Sequence, residues 1–426
     1  SARDSQSSPE AGLGARRGLR DRPTACYPSL MPFLLLVLTA LLGLAAERRV
    51  IFPPGAKPVG PYSPGILAGD FLYVSGQGAR RPDGTYPATA EGQVRQTLEN
   101  IKQVVEAAGL TMAHVVYSQV YLLDLGALEA VDRVWAEYFA KAPPARAVLG
   151  VARMPVETPV EITVVAFRDR ALRKPVAPPG WRSEAPVSPG VMAGERLYLS
   201  GVFGRGSADP AEQVETALRQ MREVLSAAGL DFRHVVFVNP YLTPAMPREI
   251  LDSLYAKHFE FGNTPARATF RVAGLPYGAS VEFTGVAIAD LAKRRAVRPK
   301  NMPPSGTASP CVWADDTLYC SSKAGFIPGP RSGIYASTVE HQVRQTMRNL
   351  LDGLEEAGLD FSHVVATNVY LDAIDDFARM NRVYGQYFSA APPTRTTVQP
   401  VPSVERKADA EDRWPALEQV SVIAVK

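Results

Sequence analysis

One phrase of this chain occurs three times. Residues 91–124 read EGQVRQTLENIKQVVEAAGLTMAHVVYSQVYLLD, residues 211–244 read AEQVETALRQMREVLSAAGLDFRHVVFVNPYLTP, and residues 340–373 read EHQVRQTMRNLLDGLEEAGLDFSHVVATNVYLDA. The spacing is about 120 to 130 residues, far longer than a solenoid unit, so each copy is a whole domain. A chain of 426 residues has room for three such domains and a short N-terminal extension. The repeats are placed at residues 47–171, 176–292 and 301–426. The Pro-rich, basic stretches RKPVAPPG and RRAVRPKNMPPSG read as linkers.

Within one repeat the hydrophobic pattern changes period in a fixed order. FLYVSG reads as a short strand closed by Gly76. Val94, Leu98, Ile101, Val104 and Val105 recur at helical spacing, and Gly109 is a natural stop. HVVYSQVYLLD reads as a strand, LEAVDRVWAEYF as a second amphipathic helix, and RAVLGVARM and PVEITVVAF as closing strands. The order β(β)-α-β-α-β-β predicts an α+β unit with two helices on one face of a sheet. The other face is also apolar and needs a cover. The equivalent faces of the other repeats are the simplest cover, which predicts an intramolecular pseudo-trimer and a monomeric chain.

The segments GPYSPG, YVSGQ, QVRQTLENI, AAGL, HVV, VYLLD, PPARAVLGVARMP and VEITVVA resemble the RidA/YjgF family of enamine/imine deaminases. The resemblance covers nearly all of residues 51–426, three times over. It implies three chorismate-mutase-like domains with ligand clefts between neighbours. It also implies hydrolysis of 2-aminoacrylate and related 2-imino acids to 2-keto acids and ammonia, with no cofactor and no metal. The chemistry needs a group for the substrate carboxylate and one for the attacking water. A guanidinium grips a carboxylate with two prongs, which lysine does not copy. A carboxylate near the imine carbon can hold or deprotonate water.

Arg146 with Glu161, and Arg267 with Glu282, supply those groups as pairs expected on adjacent strands. In repeat 1, Tyr62 and Ser75 also match the family pattern as substrate-binding residues, while Asp132 stands where an asparagine is expected. Repeat 2 keeps Ser200 but has Val187 for the tyrosine, Val202 for the glutamine of SGQ and Asp252 for the asparagine. Repeat 3 keeps Ser321, Asn381 and Arg395. It has Ala308 for the tyrosine, SSK for SGQ, and Gln419 at the glutamate position, with Glu418 on the opposite strand face. The expectation is three unequal clefts, with the one holding Arg146 carrying most of any activity and Arg395 contributing little. The alternative function is an exported protein that binds small carboxylates without turnover.

Other features narrow the classes. A net charge of +3, with no basic stripe interleaved with aromatics, argues against nucleic acid. Three cysteines and five histidines form no metal-ligand motif. His114, His234 and His363 each precede a Val-Val strand start and read as structural. Cys311 and Cys320 flank a hairpin and could pair in an exported protein. Residues 1–30 read as a leader. MPFLLLVLTALLGLAA reads as a signal peptide over 31–46, because its apolar run is too short to span a bilayer. A buried helix or uncleaved anchor is the alternative. Cleavage would place the mature protein in the periplasm or outside the cell, with no stable membrane span.

Overall fold

A computed structural model describes residues 48–182, 185–300, 302–327, 334–388 and 391–426. The expected leader and signal peptide lie outside these residues. In repeat 1 the elements are β1 (Arg48–Ile51), β2 (Gly65–Ala68), β3 (Phe71–Gly78), α1 (Ala90–Ala107), β4 (Val115–Leu122), α2 (Leu128–Tyr138), β5 (Ala145–Gly150) and β6 (Val160–Phe167). They form one sheet in the order β1-β2-β3-β6-β4-β5. All neighbours are antiparallel except β4 and β5. That pair is parallel because α2 carries the chain back across the sheet between them. Thr89 caps α1 by accepting from the Gly92 N–H at 3.1 Å, and Gly109 ends the helix at φ +81°.

Repeats 2 and 3 follow the same order, and their sheets are separate from the first. Two local readings need correction. The segments read as linkers each begin with a strand, Arg173–Val176 and Arg294–Val297, which pair with the first hairpins of repeats 2 and 3 as edge strands. Four residues are too few to show a hydrophobic period. In addition, β3 does not stop at Gly76. It runs to Gly78 through a bulge, where its register against β6 slips between Val74 and Gln77. The same slip recurs in the other two repeats. A bulge re-aims the side chains beside it, and the candidate site lies here.

Alternation along β3 sends Leu72 and Val74 toward α1 and α2, where they join Leu98, Ile101, Val104 and Trp135 in a core of repeat 1 alone. Phe71 and Tyr73 point the other way, into a core shared by all three repeats that includes Tyr198, Tyr241, Tyr319 and Tyr370. The apolar outer faces thus cover one another. Contacts run from repeat 1 to 2, from 2 to 3 and from 3 back to 1. The Arg146 N–H donates to Ser200 Oγ at 2.8 Å, Arg267 N–H to Ser321 Oγ at 2.8 Å, and Arg395 N–H to Ser75 Oγ at 2.9 Å.

At the centre the repeats differ. The Gln119 amide donates to the Tyr121 hydroxyl at 2.7 Å and its oxygen accepts from the Tyr241 hydroxyl at 3.0 Å. Phe71, Arg196 and Thr317 begin the three equivalent strands. The Arg196 guanidinium lies 4.3 Å from the centroid of the Phe71 ring and pairs with Asp316 of repeat 3. Cys311 and Cys320 stand opposite each other on a hairpin and are joined by a disulfide.

Candidate active site

The bulge and the ring of contacts decide which arginine meets which glutamate. Arg146 and Glu161 are not on adjacent strands, because β4 lies between β5 and β6. The charge felt by Glu161 is that of Arg395, and the charge felt by Glu282 is that of Arg146. In both of these clefts the arginine comes from one repeat and the glutamate from the next. The pairs expected within one repeat are corrected accordingly.

The cleft between repeats 3 and 1 has a volume of about 180 Å³ and is lined by Tyr62, Gln77, Glu161, Phe377 and Arg395 among others. Arg395 is 4% exposed. Its guanidinium carbon lies 5.3 Å from the Tyr62 ring centroid, 5.3 Å from that of Phe377 and 5.1 Å from that of Tyr384. Three aromatic faces hold the cation without using its donors. Neither Nη1 nor Nη2 has a hydrogen-bond partner among the described residues. A Cβ on Gly60 would lie 2.7 Å from Arg395 Nη2 and 3.0 Å from Asn381 Nδ2, so these two groups face one spot that a side chain at residue 60 would fill. The Asn381 Oδ1 is also unpartnered and buried. The Tyr62 hydroxyl accepts a long hydrogen bond from the Val59 N–H at 3.4 Å.

Glu161 reaches this cleft over Gly76, where a Cβ would stand 1.9 Å from its Oε1. Any side chain at residue 76 would displace the carboxyl. Burial pushes Glu161 from its ordinary value of 4.5 up to about 8, against the opposing Arg395 charge and a Thr397 backbone hydrogen bond.

The other two clefts carry the same frame with one of the arginine's two terminal nitrogens occupied and Nη1 unpartnered among the described residues. Arg146 Nη2 donates to Asp132, and Arg267 Nη2 donates to Asp252 at 2.6 Å. These aspartates stand where Asn381 stands in repeat 3. Each lies one helical turn before the aromatic that flanks its arginine: Trp135 at 5.1 Å, Tyr255 at 5.0 Å and Tyr384 at 5.1 Å. In the cleft between repeats 1 and 2, Glu282 is 0% exposed, and both its oxygens lack partners among the described residues. Burial holds it well above the carboxylate range, opposed by the Arg146 charge. In the cleft between repeats 2 and 3, Gln419 takes the glutamate register, opposite Tyr370 as Glu161 is opposite Tyr121. Ser322 fills the glycine position, and the Gln419 amide donates to its hydroxyl at 2.5 Å. Glu418 points into the core of repeat 3, accepts from Thr346, and is pushed by burial to about 8.

The structure thus gathers Tyr62, Glu161 and Arg395 in one cleft, with Asn381 beside Arg395 at Gly60, so the expectation that Arg146 holds the most complete set is overturned. Ser75, Ser200 and Ser321 are corrected too. Each hydroxyl accepts from the arginine N–H of the neighbouring repeat and donates its hydrogen to a backbone carbonyl at 2.6 Å, of Ser63, Ser188 or Ser309. They clamp the interface instead of reaching for substrate. Sequence reasoning missed Phe377, Tyr384 and Gly60. Tyr384 was findable, because Asn381-x-x-Tyr384 places both on one helix face.

Two buried carboxyls raised to about 8, Glu161 and Glu418, bear on stability. Below about pH 4.5 they are protonated in both folded and unfolded chains. Between there and about pH 8 the unfolded chain gives up their protons and the folded chain keeps them, so folding stability falls as pH rises through this window. Each pH unit traversed is worth at most about 1.4 kcal/mol per carboxyl. Glu418→Gln is expected to flatten the loss of melting temperature between about pH 5 and 8 in a calorimetric series. A slope identical to that of the wild type would refute the assignment.

A family model described as endoribonuclease L-PSP matches residues 54–168, 180–289 and 299–412. A RutC family protein of Pyrococcus horikoshii is 39% identical over 125 residues, 29% of this chain and 99% of its own length. A RutC family protein of Saccharolobus solfataricus is 43% identical over 122 residues, 28% of this chain and 97% of its own length. Among solved structures, the E. coli YjgF gene product is 34% identical, spanning 28% of this chain and 99% of its own, with a TM-score of 0.28. Among the described residues no group of three His, Cys, Asp or Glu is placed to hold a metal ion, and no helix is long and apolar enough to cross a membrane.

Proposed function

Since the chain belongs to the endoribonuclease L-PSP family, the RidA/YjgF group, through all three repeats, we propose that it hydrolyses small 2-imino acids to 2-keto acids and ammonia in the cleft between repeats 3 and 1. The observation that carries this reading is Arg395: a buried guanidinium with both terminal nitrogens unpartnered, in the same cleft as the Glu161 carboxyl. The two nitrogens suit a substrate carboxylate held in fork geometry. The Asn381 amide and Tyr62 hydroxyl stand beside it to orient the imine.

In this mechanism Glu161, as carboxylate, takes a proton from water while the water oxygen bonds to the imine carbon. The proton passes to the imine nitrogen and gives a carbinolamine. The hydroxyl proton then moves to nitrogen, the C–N bond breaks, ammonia leaves and the 2-keto acid remains. No electrons are exchanged, so the step needs only water, a base and a hold on the substrate carboxylate. A base with a value near 8 sits close to working pH, where general-base catalysis is efficient.

The test is release of ammonia and 2-oxobutanoate from enzymatically generated 2-iminobutanoate, compared with the spontaneous rate. A wild-type rate equal to the spontaneous one would abandon turnover in favour of a carboxylate-binding protein. We also propose that the ring closes within one chain, as a covalent counterpart of a trimer. Light scattering should then report the mass of one chain, and a mass near three chains would contradict this.

A further inference from the structure

The substrate class can be narrowed, on the basis of the proposed function, from the other residues of the same cleft. Besides Arg395 it is lined by Lys57 and Arg80, together with Val59, Asn100, Pro155, Val156 and Thr158. Glu161 is the only acidic residue lining it. Neither Lys57 nor Arg80 forms an ion pair among the described residues, although Arg80 Nε donates to the Gly84 carbonyl at 3.4 Å. Arg80 lies four residues along the chain from Gly76 and lines the same cleft. The cleft therefore combines a buried cation with two exposed ones and a single carboxyl.

We propose that the preferred ligand is a 2-imino dicarboxylic acid, with its α-carboxylate on Arg395 and its side-chain carboxylate between Lys57 and Arg80. A monocarboxylate satisfies only the first of these and leaves an uncompensated positive field at the mouth. Since the Glu161 carboxyl is largely protonated near neutral pH, it does little to offset that field. In repeat 2 the corresponding positions are Arg182 and Arg205, which line a pocket with Ser200 and Gly201. The arginine that faces Glu282 of that repeat, Arg146, is however already bound to Asp132. In repeat 3 the corresponding positions are Pro303 and Phe326. Among the described residues, the cleft between repeats 3 and 1 joins an arginine with both terminal nitrogens unpartnered to two further cations.

Calorimetric titration separates this inference from the function beneath it, because it reads binding without turnover. The probes are 2-oxoglutarate and 2-oxobutanoate, with inorganic phosphate as a third arm. The proteins are the wild type, the double variant Lys57→Gln/Arg80→Gln and Arg395→Gln. Exposed cations contribute modestly, so 2-oxoglutarate should bind about five- to ten-fold more tightly than 2-oxobutanoate. The double variant should bring the two within about two-fold by weakening 2-oxoglutarate alone. Arg395→Gln should weaken both. Equal affinities in the wild type would overturn the dicarboxylate inference while leaving the carboxylate site intact. A preference that survives in the double variant would remove Lys57 and Arg80 from it. Phosphate binding as tight as 2-oxoglutarate would also overturn it, by reducing the mouth to a general anion site. No binding of either keto acid would overturn the carboxylate site itself and the inference with it.

Discussion

Arg395→Lys is expected to lower kcat/KM for a 2-imino acid by about ten- to a hundred-fold, while Arg146→Lys and Arg267→Lys leave it within about three-fold. The three arginines occupy equivalent strand positions and are similarly buried, so a generic structural role would give three similar results. The difference lies in their donors. Arg395 has two free terminal nitrogens for a carboxylate, whereas each of the other two has Nη2 bound to an aspartate and only Nη1 left without a partner among the described residues. Lysine keeps the charge and loses the fork, and a charge-assisted contact of this kind is worth about 1.5–3 kcal/mol, which is the range stated. Steady-state kinetics of the three variants, each confirmed as folded by melting temperature, provide the comparison. Equal losses in all three would show that the clefts are equivalent and that the aspartates do not seal theirs.

Glu161→Gln separates chemistry from binding. Near neutral pH the Glu161 carboxyl is mostly protonated, so glutamine copies its shape and charge state closely. Keto-acid binding should therefore change little, and the fold should gain stability above about pH 7 because a buried group no longer ionises on unfolding. Turnover should fall by about 10²–10⁴, the usual contribution of a positioned base. In the wild type, kcat/KM should rise with pH and level off above about 8, as the carboxylate becomes populated. That rising limb should be missing from the variant. A variant that retains both the rate and the limb would assign the base elsewhere.

Much of the fold was legible in the sequence. Helix α1 follows from Val94, Leu98, Ile101 and Val105 at helical spacing, and the glutamate register of Gln419 follows from counting back along an alternating strand. The cover on the outer sheet face followed from the apolar residues left over once the helices were placed. What was not legible was the pairing of Arg395 with Glu161. These residues are 234 positions apart in the chain, and periodicity within a repeat carries no information about which neighbour a repeat touches. Proximity in sequence suggested Arg146 instead, and the strand order, with β4 between β5 and β6, rules that out. The serines were misread for a related reason. A hydroxyl near an arginine looks like a ligand contact until its hydrogen is seen to be committed to a carbonyl across the same turn. The edge strands at Arg173–Val176 and Arg294–Val297 were missed because a four-residue strand beside prolines looks like a linker.

The centre of the ring has a consequence for how such a chain can change. Three identical copies meeting at one point must present the same side chain three times, and three guanidiniums converging there would repel one another at close range. Here one position is Phe71, one is Arg196 and one is Thr317, and the single arginine rests on the phenylalanine and pairs with Asp316. That arrangement is available only to copies that have been joined and then diverged. It also gives the repeats fixed addresses. The arginine needs a ring from one neighbour and a carboxylate from the other, so the three repeats are not interchangeable there.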